Sequence, residues 1–228
     1  MNSDAKVQWE QLVVALGKVV LSRTPGVGLV ADTFFEYWNL IKEKRAHRFF
    51  KDIMIDAESM DPNEIDQEYL VSEEFLDFSG SILRRAVTTA SEEKVRRFKK
   101  ILLNEMKHPY KSDFKETFLD ITSCINEDQI QILNHFWEVK KCESENSTEQ
   151  GVADGGDEGA RASLNHERDL LGFDESKYLF YVQDLVSKSL LYDENILLFD
   201  GGTKPYTNLR ITPFGEEFLR FVEGFPDQ

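Results

Sequence analysis

Leu185-Val186-Ser187-Lys188-Ser189-Leu190-Leu191 ends a helical stretch, and two short apolar runs follow it, Ile196-Leu197-Leu198-Phe199 and Leu209-Arg210-Ile211. Between the runs lies the turn-rich Asp200-Gly201-Gly202-Thr203-Lys204-Pro205. Apolar runs on either side of Gly and Pro predict a two-stranded β-hairpin that pairs 196–199 with 209–211. Thr212-Pro213-Phe214-Gly215-Glu216-Glu217-Phe218-Leu219 comes next. Thr212 is a good N-cap, and Pro213 sits at the first helical position, where its missing N–H costs nothing. The last helix presents Phe214, Phe218, Leu219 and Phe221 on one face, and Gly224 is placed to stop it. Helix, hairpin, helix is the order of the second half of a winged helix, a module that reads DNA in most settings and contacts protein in others.

Upstream, residues 143–165 form a polar, acidic, Gly/Ser-rich stretch with almost nothing to bury. We read it as an insertion within a second domain (125–228) rather than a tether between domains. The helix before it has the clearest start signal in the chain. Asn126 as N-cap and Gln129 three residues on make a capping box, and Ile125 and Ile130 flank it as a hydrophobic staple. Ile130, Leu133 and Trp137 then face a core, expected to be shared with the 185–191 segment. Residues 1–124 read as a helical domain. Apolar residues recur at three and four from Trp9 to Val20, and a turn at Pro25-Gly26-Val27-Gly28 breaks the pattern. A long helix carries Val30, Phe34, Trp38, Ile41, Phe49 and Ile53. Later ones centre on Phe75–Ala86, Val95–Met106 and Phe114–Ile121. The predicted fold class is mainly α, a helical N-terminal region followed by a winged-helix-like unit with a two-stranded β-hairpin.

With 228 residues, 41% hydrophobic, the chain can bury substantial cores. Its net charge of −15 is uneven, with −2 up to Tyr110 and −13 beyond it. Two cysteines, Cys124 and Cys142, cannot build a disulfide framework, which fits a reducing, cytoplasmic setting. No signal-peptide pattern opens the sequence. The apolar stretch 12–31 is interrupted by Lys18, Arg23 and Pro25, so a soluble helical hairpin is expected there rather than stable membrane insertion. Contact with a membrane after activation stays open.

No chemical motif stands out. Pro25-Gly26-Val27-Gly28 lacks the length and the Gly-Lys-Ser/Thr ending of a phosphate loop. His47, His108, His135 and His166 are scattered, without ligand spacing. The pairs Glu73/Glu74, Glu92/Glu93 and Glu216/Glu217 fall in first helical turns, where they complement the helix dipole. We therefore assign no catalytic, cofactor-binding or metal-ligating residue, although a site assembled from distant residues would be invisible to this reading. Two basic clusters remain, Lys42/Lys44/Arg45/Arg48/Lys51 and Lys94/Arg96/Arg97/Lys99/Lys100. Within the second, Arg96, Lys99 and Lys100 are candidate nucleic-acid contacts. In a DNA reader the helix over 174–190 would enter the major groove. It offers Lys177, Gln183 and Lys188 against Asp174, Glu175 and Asp184, and 165–228 holds six basic and 12 acidic residues. Lys177 and Lys188 join the candidates, but a surface of that sign repels phosphate and favours protein contact.

The order of phrases resembles a diffuse group of bacterial proteins of the abortive-infection-alpha type. Those phrases are Pro25-Gly26-Val27-Gly28, Ser72-Glu73-Glu74-Phe75-Leu76, Arg84-Arg85-Ala86-x-x-Thr89-x-Ser91-Glu92-Glu93-Lys94-Val95-Arg96-Arg97-Phe98 and Ile211-Thr212-Pro213-Phe214-Gly215-Glu216-Glu217-Phe218-Leu219. The resemblance implies a helical N-terminal region with a winged-helix-like end, in a subunit of an antiphage defence assembly. It carries no catalytic residues. The expected function is therefore a non-catalytic interaction subunit whose partners are other protein subunits, with nucleic acid reached through the complex and homo-oligomers compatible. The alternatives are a winged-helix DNA-binding regulator, a membrane-acting effector or an enzyme with a spatially assembled site.

Overall fold

The computed structural model describes residues 29–61, 64–65, 67–146, 171–194, 206 and 208–224. The predicted helix over 9–20, the turn at Pro25-Gly26-Val27-Gly28, the acidic stretch from 147 onward and the run 196–199 lie outside the described residues. So do the side chains of Val30, Phe34 and Trp38. What is described is mainly helical, with one two-stranded antiparallel sheet near the C-terminal end. The chain divides into two compact units, Met1–Ser123 and Cys124–Gln228.

In the first unit α1 (Leu29–Glu58) packs on α3 (Glu73–Thr88) and α4 (Glu92–Lys107), which also pack on each other. The short α2 (Gln67–Leu70), which sequence periodicity is too brief to reveal, leans on α3, and α5 (Lys115–Cys124) closes the unit. Apolar residues at three- and four-residue spacing explain the packing. Phe49 and Ile53, Phe75 and Ile82, and Phe98 and Leu102 are all buried. Burying each such side chain contributes about 1.5–3 kcal/mol. Both central helices start on serine caps. The Ser72 hydroxyl accepts from the Phe75 N–H at 3.2 Å and the Ser91 hydroxyl from the Lys94 N–H at 3.3 Å. Glu73/Glu74 and Glu92/Glu93 stand in the first turns, on the side of the dipole that favours acids.

The second unit opens on the expected capping box of α6 (Glu127–Asn146). Gln129 N donates to Asn126 Oδ1 and Asn126 N to Gln129 Oε1, each at 3.0 Å, beside buried Ile125 and Ile130. Ile130, Leu133 and Trp137 are buried, and α6 packs on α7 (Glu175–Ser187), on strand β2 and on α8 (Pro213–Glu223). Helix α7 is shorter than the predicted 174–190. Ser189 adopts a left-handed φ of 60°, its N–H reaches Val186 O at 2.9 Å, and the Leu190 N–H reaches Leu185 O at 3.0 Å. That pair of bonds is the Schellman ending, completed by the buried Leu185 and Leu190.

The turn delivers the chain straight into β1 (Leu191–Asp193), which pairs antiparallel with β2 (Leu209–Ile211) in the register Leu191↔Ile211. The predicted pairing of 209–211 with 196–199 is thus corrected: the partner strand lies five residues earlier. It was hidden because Leu191-Tyr192-Asp193 alternates in and out instead of running apolar, and its inward polar residue is satisfied locally. The buried Asp193 carboxylate accepts from the Tyr206 and Asn208 N–H groups. Helix α8 has the predicted ends, with the Thr212 hydroxyl accepting from the Gly215 N–H at 2.8 Å and Gly224 left-handed at φ 72°.

Candidate functional site

Two surfaces gather the candidate residues, one on each unit. On the first unit the two basic clusters, 43 to 58 residues apart in sequence, converge. Helix α1 supplies Arg45, Arg48 and Asp52, and α4 supplies Glu92, Arg96 and Lys99, to one cleft of about 90 Å³. Phe49, Ala86 and Val95 are its apolar lining. Most of its cations are held in place. Arg45 Nη1 donates to Val87 O at 3.1 Å, Arg48 pairs with Glu92 at 2.5 Å, and Lys99 Nζ pairs with Asp56 at 2.8 Å. Arg96 is exposed and makes no hydrogen bond or ion pair among the described residues. Lys100 lies on the same helix, one turn from Arg96, but outside the cleft lining, so of the expected trio the cleft takes Arg96 and Lys99. Of the remaining α4 cations, Lys94 Nζ donates to Ser123 O and Arg97 is buried.

On the second unit, α7 carries Lys177 and is capped by Lys188, and both are paired internally. Lys177 Nζ pairs with Asp128 at 2.8 Å, where the Tyr181 hydroxyl also donates at 3.1 Å. Lys188 pairs with Asp184, whose other oxygen accepts from Gln129 Nε2 at 2.6 Å. The hydrogen bond from Lys177, helped by Tyr181 and opposed by desolvation, holds the Asp128 carboxyl below the usual carboxylate range and raises the ammonium in turn. Burial pushes Asp184 upward, yet its bonds to Lys188 and Gln129 outweigh that and the net direction is down.

Tyr178, Val182 and Leu185 turn inward from α7. The outward line, at 100° per residue, is Ser176, Phe180, Gln183 and Ser187. It carries no charge, and Phe180 is 65% exposed.

The first unit also holds a buried acid that the sequence reading passed over. Glu105 is only 2% exposed. Its Oε1 accepts from the Tyr69 hydroxyl at 2.5 Å and from Lys115 Nζ at 2.8 Å, and its Oε2 from the Tyr110 N–H at 3.0 Å. Lys115 also reaches Glu74 at 2.9 Å and lies 5.4 Å from the centre of the Phe78 ring. Burial, then the bond to Glu105 and its charge, push the Tyr69 phenol far above its ordinary value. Every polar atom of Glu105 is occupied and the phenol is locked in its neutral form. The cluster clamps α2, α3, α4 and the start of α5 rather than offering a base or a nucleophile. Only the lone Glu at mid-face of an otherwise apolar helix pattern hinted at it.

Among the described residues no group of His, Cys, Asp and Glu could hold a metal ion, and no helix is long and apolar enough to cross a membrane. Cys124 and Cys142 are free and exposed. The chain matches no known protein family, no curated protein and no solved structure.

Proposed function

We propose that this chain is a non-catalytic interaction subunit of a bacterial antiphage defence system of the abortive-infection type. In this reading the second unit is winged-helix-like and uses α7 to contact another protein. The observation that carries it is the outward line of α7. A groove-reading helix needs donors such as Arg, Asn, Gln or Lys on its outer face. Here that face offers one such donor, Gln183, beside an exposed phenylalanine, and Lys177 and the C-cap Lys188 are paired with Asp128 and Asp184. An exposed aromatic among small polar residues suits the apolar pocket of a protein partner. The second unit as a whole has nine basic and 21 acidic residues, a net of −12 that opposes phosphate. The defence assignment rests on the sequence resemblance described above.

The test is affinity purification from the native host of the unchanged chain and of Phe180→Asp, alongside a salt-titrated duplex-binding assay on the protein alone. The reading expects proteins encoded nearby to co-purify with the unchanged chain and to be lost with Phe180→Asp, while thermal stability is kept. Tight, sequence-selective duplex binding by the isolated chain that weakens steeply with salt and is abolished by Lys177→Gln or Lys188→Gln would establish the DNA-binding regulator instead.

A further inference from the structure

We propose that the cleft between α1 and α4 binds a phosphate monoester group. The argument stands apart from the protein-contact reading of the second unit. Arg45, Arg48, Arg96 and Lys99 line the cleft together with Asp52 and Glu92, and with Asp56, which pairs with Lys99, the local balance is still +1 in a chain of net charge −15. A phosphate monoester carries about −1.5 to −2 at neutral pH and three strong acceptor oxygens, so it can engage several of these donors at once where a carboxylate offers only two oxygens. Size points the same way. A water molecule's share of liquid volume is about 30 Å³, so 90 Å³ leaves room for one tetrahedral anion in place of a few waters.

The donors are prepared for such a guest. Arg45 is anchored by a single N–H to Val87 O, which leaves further guanidinium donors to point elsewhere. Lys99 is fixed by Asp56 with two ammonium protons to spare. The Thr89 hydroxyl, at the cleft wall, accepts from the Ser91 N–H and keeps its own proton to donate. The Arg48–Glu92 pair is more than half exposed on both sides, so it is weak and yields Arg48 to a stronger anion. Arg96 gives up nothing to bind, because it has no competing contact among the described residues. Cations already held in place spare a ligand much of the ordering cost.

The experiment is calorimetric titration of the full chain, at low ionic strength, with inorganic phosphate, adenosine 5′-monophosphate and adenosine. Phosphate and the monophosphate should each bind saturably at one site, and adenosine should give no heat. Arg96→Ala should weaken both by roughly tenfold or more, as loss of a bidentate charge-assisted contact does. Arg96→Lys should recover part of the affinity, and Lys100→Ala, outside the cleft, should leave it within about twofold. Far-UV circular dichroism of each variant checks that the helices persist. Short single strands with a 5′-phosphate or a 5′-hydroxyl separate the sources of the group. Preference for the phosphorylated strand over the monophosphate supports the cleft and makes a strand end its guest, while equal affinity supports a small nucleotide. Absence of saturable phosphate binding, equal binding by Arg96→Ala, or equal affinity for both kinds of strand overturns the proposal.

Discussion

Gly215 shows how one atom can outweigh a propensity. It sits in the first turn of α8, where alanine is ordinarily favoured over glycine by about 1 kcal/mol. A Cβ there would stand 2.3 Å from the backbone oxygen of Leu190 and 3.0 Å from Ile211 Cγ1. That oxygen cannot move away, because the Thr212 N–H bonds to it at 3.1 Å. Overpacking of this kind costs about 1–3 kcal/mol, so the clash wins. We expect Gly215→Ala to lower stability, measured by chemical denaturation, and a neutral or stabilised variant would contradict the close approach. Glu105 is the counterpart in charge. Glu105→Ala takes the buried partner from Lys115, which is 13% exposed and keeps Glu74, and removes an acceptor from the Tyr69 hydroxyl and from the Tyr110 N–H. Breaking a buried pair from one side costs about 3–5 kcal/mol when no partner is left, so with Glu74 in reach the same denaturation measurement should register a loss below that range. Glu105→Gln, which keeps two acceptor–donor contacts, should lose less.

Among elements, the junction of α6 and α7 has a pH dependence of defined sign. The folded-state carboxyl of Asp184 titrates below its ordinary value of 3.8. Its contribution is therefore complete above that value, declines as the pH falls through it, and is gone below the lowered folded value. Asp184→Asn should be less stable than the unchanged chain by about 1 kcal/mol at pH 7, given the partial exposure of the group. The gap should narrow as the pH falls below 3.8 and close below the lowered folded value, where a protonated aspartic acid resembles asparagine; a gap that does not narrow on acidification would contradict the assignment. The ends of these helices were legible in the sequence because caps are local. Asn126 with Gln129, and Thr212 with Pro213 and Gly224, specify their geometry within a few residues. The strand before the loop was not legible, because Asp193 reads as a loop residue until Tyr206 and Asn208 are seen to donate to it from 13 and 15 positions away. The cleft was legible only as two separate basic runs. Nothing in either run specifies that Arg45 and Arg96 share a wall, since that depends on how α1 crosses α4. Lys177 looked free for the matching reason, that Asp128 comes into range only through the α6–α7 packing, whereas Asp184 and Lys188, four residues apart, are a pair that the sequence spacing itself offers.

For the whole molecule, charge is divided as unevenly as structure. The first unit is nearly balanced at −3, and the second holds −12. Self-repulsion of that size destabilises a compact state and is screened as the Debye length shortens to about 8–10 Å near physiological ionic strength. The opposing effect, salt weakening of exposed ion pairs, is limited to about 0–1 kcal/mol per pair. Raising sodium chloride from about 20 to about 150 mM, a range set by that screening length, should therefore increase amide-exchange protection more in 124–146, 171–194 and 208–224 than in α1, α3 and α4. Equal or opposite changes would show that the ion pairs, and not the net charge, dominate.

The short sheet carries one more consequence, for how such a chain can diverge. Asp193 ties the Tyr206 and Asn208 N–H groups to the end of β1, so the base of the β1–β2 connection is fastened independently of whatever lies between. Lengthening a closed loop to twice its size costs only about 0.6 kcal/mol. Added length between 195 and 205 therefore costs the fold little in chain entropy while Asp193 keeps both bonds.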